Sequence, residues 1–340
     1  MRKTVLWTLV AAAALRLAVL AGAGDALADW IAAAGAADTA LVAAEPDTDE
    51  TAAAPESAAP VLRPVIVTPR VRQEEAQSAG ELSPPPEPVP ADLSEPVAVH
   101  DRSGWNIDVA ALEREGLNLR LSPDAPQILI LHTHSSEAYT PDETDRYVAS
   151  DPYRTEDKTQ SVIRVGDALA EALEESGLRV LHDREIYDYP SYTGSYSRSG
   201  AAVERWLADY PSLRIVIDLH RDAIGSGDVV YRTRAVLDGV SCAQVMLLAG
   251  TGANGLSHPN WRENLKLALW LQRTAEASCP GLMRPLEIVP ERYNQQLSPG
   301  SLILEVGSTG NSLREAVLAA TYFGRAVGPG LAEYITNAAD

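Results

Sequence analysis

The chain of 340 residues carries a formal net charge of −19 with 46% apolar residues, enough to bury a sizeable core but without the clustered Lys and Arg that track nucleic-acid phosphates. Nucleic acid is therefore excluded as a partner. Its two cysteines, Cys242 and Cys279, form no closely spaced metal or redox motif and are expected to be small buried apolar residues.

In chain order, the first element is an export segment at residues 1–28. Arg2 and Lys3 precede an apolar run, residues 4–24, about as long as a membrane span requires. Arg16 interrupts that run at a cost in lipid, and Ala26 with Ala28 offers a small-residue cleavage pattern. A cleaved signal peptide thus competes with an uncleaved anchor, and the anchor is the reading adopted. The positive flank places the rest of the chain outside the cytoplasm. Residues 29–100 form an Ala, Pro and acidic linker with too little apolar surface to offset the entropy of ordering. Proline keeps such a segment extended as a tether.

The folded domain is assigned to residues 101–340. Residues 105–119 have amphipathic helical content, and Pro126 then bounds "ILIL" at 128–131, a short apolar run that reads as a buried strand. His132, His134 and Glu137 crowd its end, where open α/β sheets gather catalytic groups. Residues 141–159 read as an active-site loop. A helix at 161–176 stops at Gly177, where a C-cap glycine belongs, and "LRVLH" follows as a strand. Strand, helix, strand implies a parallel pair with a right-handed crossover. Residues 191–200 read as loop, 201–210 as helix and "LRIVIDLH" at 213–220 as the most apolar strand. A hairpin-like pair turns at Asp238–Gly239. A helix follows from Pro259, then a last strand carrying Glu305, and a closing helix starts at Ser312. The fold class is α/β, a twisted, mostly parallel sheet flanked by helices.

Two imidazoles and a carboxylate, His134, Glu137 and His220, suit zinc while leaving a fourth position for water. Glu305 reaches the same rim. A carboxylate there can take a proton from water and deliver it to a leaving nitrogen, which is amide hydrolysis. Arg221 is placed to stabilise an oxyanion or bind a substrate carboxylate. Each has a plainer reading: Glu137 as a helix-starting carboxylate, and Glu305 as an ion-pair partner of Arg221. Asp218 shares a strand face with His220 and suits an outer acceptor that holds a ligand ring. His132 is open between metal ligand, outer donor and substrate contact. His182 and His258 read as surface or satisfied core residues.

The segments "HTHSSEAY" at 132–139, "VGDALAEALEESGLRVLHDR" at 165–184, "IDLHRDA" at 217–223 and "RYNQQLSPGSLILEVGSTGNSLREA" at 292–316 together resemble the stage II sporulation protein P family, which is similar to zinc-dependent N-acetylmuramoyl-L-alanine amidases. The resemblance covers most of the chain after Gln127. It implies an amidase-like fold, with His134 rather than His132 as the first metal histidine, His220 as the second and Glu305 as the catalytic carboxylate. Amidases carry their acidic ligand at the head of the following helix, where this chain offers Glu156; Glu137 of the HTH-x-x-E motif is expected instead. The resemblance further implies peptidoglycan as substrate, an added endopeptidase activity, a role in engulfment during sporulation, and stage II sporulation proteins D and M as partners. Other metallohydrolases fit less well. An H-x-H amidohydrolase wants an eight-stranded barrel, and a metallo-β-lactamase wants Asp at Ser136 and His at Glu137. A wall-binding scaffold without activity is the third alternative.

Overall fold

The computed structural model describes residues 96–226 and 229–336. The expected anchor at 1–28 and nearly all of the linker at 29–100 lie outside them. Among the described residues no helix is long and apolar enough to cross a membrane.

The chain forms β1 (Val99–Asp101), α1 (Val109–Glu115), β2 (Ile128–Leu131), α2 (Val162–Glu174), β3 (Val180–His182), α3 (Ser195–Asp209), β4 (Ile215–Asp222), β5 (Gly225–Ser226), β6 (Val229–Val230), β7 (Ala235–Leu237), β8 (Val240–Cys242), β9 (Val245–Gly250), α4 (Trp261–Ser278), β10 (Leu286–Val289), β11 (Ser301–Ser308) and α5 (Leu313–Ala332). Seven strands make one sheet in the order β1-β10-β9-β11-β4-β2-β3. Every neighbouring pair is parallel except β9 and β11. The architecture is thus mixed α/β, a mostly parallel sheet flanked by helices.

Strand β4 shows how the sequence builds the two faces. Its alternate residues Ile215, Ile217 and Leu219 enter a large core shared with α2, α4 and α5, as the period of two requires. Val216 faces the other way, joining Leu129, Leu131 and Val203 beneath α3. Continuing along that second face, the next alternate residues are Asp218, His220 and Asp222, all buried. The same strand is therefore apolar throughout on one side and turns polar on the other.

The helices are set by local chemistry. Ser161 caps α2 by accepting from Ile163 N, and Ser312 with Glu315 forms a capping box on α5; such caps contribute about 1 kcal/mol each. Gly324 and Gly328 of α5 lie where a Cβ would meet Ala172 at 2.6 Å and Ser176 Oγ at 2.5 Å. Only glycine lets α5 approach α2 this closely. The free cysteines Cys242 and Cys279 are both buried.

Several boundaries differ from the sequence expectation. The helix expected over 105–119 is only Val109–Glu115, because Gly104 (φ 78°) and Asn106 (φ 49°) take left-handed conformations and Asp108 caps the turn instead. Helix α3 begins at Ser195, inside the segment read as loop. Strands β1 and β10 were not anticipated. The hairpin does turn at Asp238–Gly239, but its second arm is β8, and "VMLLAG" departs to become β9, antiparallel to β11.

Candidate active site

The polar end of the second face is where separate elements converge. His220 and Glu305 are Cα partners across the β4–β11 pair, so adjacent strands hold their side chains side by side. The turn after β2 supplies His134 and Glu137. The His134 and His220 rings lie edge to face with centroids 5.2 Å apart, and His220 Nδ1 is 3.5 Å from Glu137 Oε2. All four side chains are at most 6% exposed. Glu156, the alternative acidic ligand, is exposed.

His220 is flanked by carboxylates on both sides. Its Nε2 is 2.9 Å from Asp218 Oδ1, an ion-pair distance, yet the N–H is not aligned for a hydrogen bond. Asp218 is itself fixed by Thr133, whose backbone N–H and hydroxyl donate to it at 2.7 and 2.6 Å. Burial alone would depress the imidazole; Asp218, then Glu137, outweigh it and raise His220 well above the ordinary histidine value. Burial would raise Glu137, but Arg221 and His220 hold its carboxyl well below the usual range. The same two cations also act on Glu305 but are outweighed there. Burial pushes it up to about 8, and its Oε2 has no hydrogen-bond partner.

Two expected site residues are directed elsewhere. Arg221 sends its Nε to Ala138 O at 2.9 Å and one terminal nitrogen to Tyr153 O at 3.2 Å. Its guanidinium therefore ties down the 138–153 loop, because the strand period turns it from the face that carries His220, while its backbone N–H donates to Glu137 Oε2 at 3.2 Å. His132, expected to share a face with His134, lies beyond the end of β2 and is not brought into the cluster. Its Nδ1 donates to Leu219 O at 2.8 Å, and its Nε2 is 2.8 Å from His182 Nε2. His182 in turn lies 3.1 Å from Asp167, so it has the strand-end company that the sequence did not reveal. Gly166 presses against both rings, where a Cβ would come within 2.7 Å of each. His258 is buried with both ring nitrogens unpartnered, neither a surface nor a satisfied residue.

Sequence reading missed the groups that surround His134. Tyr192 stacks on its ring at 4.5 Å and 12°, with its hydroxyl 3.0 Å from Nε2. Ser195 Oγ is 3.4 Å from Nδ1, and Tyr196 stands edge-on at 5.5 Å. Arg154 lies over the Tyr192 ring at 4.9 Å, 3.6 Å from Glu137 and 2.6 Å from Asp188. The only sequence signal for these was the polar, tyrosine-rich character of the loops.

The chemistry of the set fits a divalent cation: two imidazoles and a carboxylate, beside a buried carboxyl oxygen and an imidazole nitrogen left without hydrogen-bond partners. Among the described residues, no group of three or more His, Cys, Asp or Glu side chains stands ready to hold a metal ion.

A sequence model of the stage II sporulation protein P (SpoIIP) family matches residues 61–328. Stage II sporulation protein P of Bacillus subtilis (strain 168) is 30% identical over 211 residues, 58% of this chain and 49% of that protein. The chain thus spans about half the length of the curated relative it matches. Among solved structures, the CwlD amidase from Clostridioides difficile in complex with the GerS lipoprotein overlaps with a TM-score of 0.34 at 12% identity, covering 61% of this chain and 98% of that one. The N-acetylmuramyl-L-alanine amidase Ami1 from Mycobacterium abscessus overlaps with a TM-score of 0.37 at 12% identity, covering 62% and 100%. Overlaps this slight carry no argument about the present chain.

Proposed function

The chain belongs to the stage II sporulation protein P family, and from that premise we propose that its folded domain is a zinc-dependent peptidoglycan hydrolase of the N-acetylmuramoyl-L-alanine amidase type, with an amidase-like fold. The observation that carries the reading is the pairing of Glu305 with His220 across adjacent strands, beside His134 and Glu137. Fold alone would not suffice, since one fold hosts many activities.

In this reading His134, Glu137 and His220 hold the ion. Bound there, zinc would supply Lewis-acid polarisation of the scissile carbonyl. Asp218, braced by Thr133, fixes the His220 ring. Glu305 carries the proton. It takes one from the attacking water as the oxygen bonds to the carbonyl carbon, and returns it to the amide nitrogen as the C–N bond breaks. Without the ion, burial holds the Glu305 carboxyl up at about 8; a cation bound beside it would lower that value and leave the carboxylate able to accept the water's proton. The substrate bond is the amide between muramic acid and the stem peptide. An endopeptidase activity, a role in sporulation engulfment, and stage II sporulation proteins D and M as partners belong to the same proposal, as does an extracytoplasmic domain held to the cell membrane by residues 1–100.

The test is digestion of purified peptidoglycan with the bond cut identified by mass spectrometry. Free stem peptides with a new muramic lactyl carboxylate are expected; no cleavage by the zinc-loaded protein would refute the reading. A second reading, a wall-binding scaffold without turnover, draws on the absence of a preassembled ligand trio among the described residues. It predicts wall binding that is unchanged in Glu305→Gln and no product from either protein.

A further inference from the structure

Three buried polar atoms around the paired histidines have no hydrogen-bond partner: His220 Nε2, Glu305 Oε2 and Tyr196 Oη. The reading above uses the first two and leaves the phenol idle. A buried O–H without an acceptor is costly, so its place in the fold asks for a partner that arrives with the reaction. The oxyanion role that the sequence suggests for Arg221 is open as well, because that guanidinium is engaged by the carbonyls of Ala138 and Tyr153.

Tyr196 lies in the first turn of α3, and its ring is wedged. It stands edge-on to His134 at 5.5 Å and tilted against Tyr293 at 5.6 Å. Its backbone is fixed as well: the Asn294 amide donates to Tyr196 O at 2.8 Å, and Ser199 Oγ donates to the same carbonyl at 3.2 Å. Tyr293 and Asn294 deliver these contacts from left-handed backbone, φ 47° and 62°. Residues other than glycine rarely take that conformation, and it gathers at functional sites. Gly200, one turn after Tyr196, leaves room for Asn294, whose amide a Cβ would meet at 3.1 Å. Burial raises the phenol well above its ordinary value, and Asp218, Glu305 and Glu137 act on it in the same direction. The hydroxyl is therefore within electrostatic reach of the site's carboxylates, keeps its proton, and is hydrogen-bonded to none of them.

We propose that Tyr196 is a catalytic residue whose hydroxyl donates a hydrogen bond to the oxygen of the scissile carbonyl as that oxygen takes on charge. The inference rests on the hydrolase reading above and adds a donor to it. As the water oxygen bonds to the carbonyl carbon and its proton passes to Glu305, the π electron pair of the C=O moves onto the carbonyl oxygen. Tyr196 meets that charge with its O–H and transfers no proton. The pair returns to carbon as the C–N bond breaks and the nitrogen takes the proton from Glu305. A donor aimed at the attacking water would instead draw on the lone pair that must attack, so the carbonyl oxygen is the partner that speeds the reaction. Because the ring is wedged, the donor needs little reorganisation as charge develops.

The experiment compares the zinc-loaded full chain as wild type, Tyr196→Phe and the exposed control Tyr189→Phe in cleavage of a soluble muropeptide. Tyr196→Phe keeps the ring and its contacts. Its kcat should fall about 10²- to 10³-fold with KM changed by less than about twofold, the sign of an interaction made only in the transition state. Affinity for a phosphinate analogue of the scissile amide, whose P–O⁻ stands in for the charged oxygen, should fall by a similar factor. Zinc content should match wild type. The metal-free variant should melt at or above the wild-type temperature, because an unpartnered buried hydroxyl is removed. Tyr189→Phe should match wild type throughout. A kcat near that of wild type, a loss confined to KM, or a variant that loses zinc or melts lower would overturn the inference. Should wild type release no peptide, the hydrolase reading falls and takes this one with it; should Tyr196→Phe cleave as wild type does, only the role of Tyr196 falls.

Discussion

The two faces of β4 make the instructive contrast. On one side Ile215, Ile217 and Leu219 enter a core closed by three long helices. On the other, Asp218, His220 and Asp222 share their face with Glu305, near Glu137. Burying each apolar side chain contributes about 1.5–3 kcal/mol, while each buried charge costs energy unless it is paired. One face thus supplies stability, and the other keeps carboxylates and imidazoles in a buried place where their interactions are strong. The lesson is that His220 and Glu305, placed on adjacent strands, inherit the rigidity of the core behind them, while His134 and Glu137 are brought to them by the turn after β2.

That separation can be broken by substitution. The largest effect is expected on the polar face: Glu305→Gln should lower peptidoglycan cleavage about 10²- to 10⁴-fold with thermal stability unchanged or raised, since the replaced carboxyl is buried with an unpartnered oxygen. Turnover measured beside a melting curve checks both parts. His220→Ala should remove zinc binding and cost about 3–5 kcal/mol, because Asp218 and Glu137 lose the cation between them; denaturant unfolding with zinc analysis reads both.

Directly behind it, Leu219→Ala should cost about 2–5 kcal/mol through a cavity, yet leave zinc affinity and turnover per folded molecule near wild type. If Leu219→Ala lost zinc as His220→Ala does, the two faces would not be separable. A smaller effect distinguishes the two histidines of the H-T-H motif. Burial, with help from His182, lowers His132 from 6.5 to about 3, so the folded state keeps it neutral while the unfolded chain protonates below about 6.5. Its contribution is present above 6.5 and is lost as pH falls toward 3. His132→Gln should therefore flatten the acid loss of stability by up to about 1.4 kcal/mol per pH unit in that window, an effect read from urea midpoints at several pH values.

Much of this arrangement was legible in the residues themselves. The all-aliphatic "ILIL", the helical spacing of 161–176 with its stop at Gly177 and the apolar run "LRIVIDLH" gave three elements and their order, because apolar periodicity and a C-cap glycine are local signals. The nearness of His134, Glu137, His220 and Glu305 followed from strand ends on one sheet. The direction of single side chains did not. Arg221 and His132 stand next to or near the right residues in sequence, but a strand's alternation and the end of β2 turn them to other partners. Tyr192 and Arg154 reach His134 from loops whose paths depend on tertiary contacts such as Asp188 with Ser136, and no spacing encodes these. Strands β1, at the sheet edge, and β10, beside it, are short, three and four residues long, and their pairing depends on neighbours distant in sequence.

The most direct test is X-ray diffraction from crystals of the zinc-loaded chain, recorded on both sides of the zinc absorption edge. One anomalous peak bonded to His134, Glu137 and His220, with the Glu305 carboxyl facing it, is the expected result. A peak held by other residues, or none in crystals shown by elemental analysis to contain zinc, would contradict the assignment of the polar face of β4 as the catalytic centre.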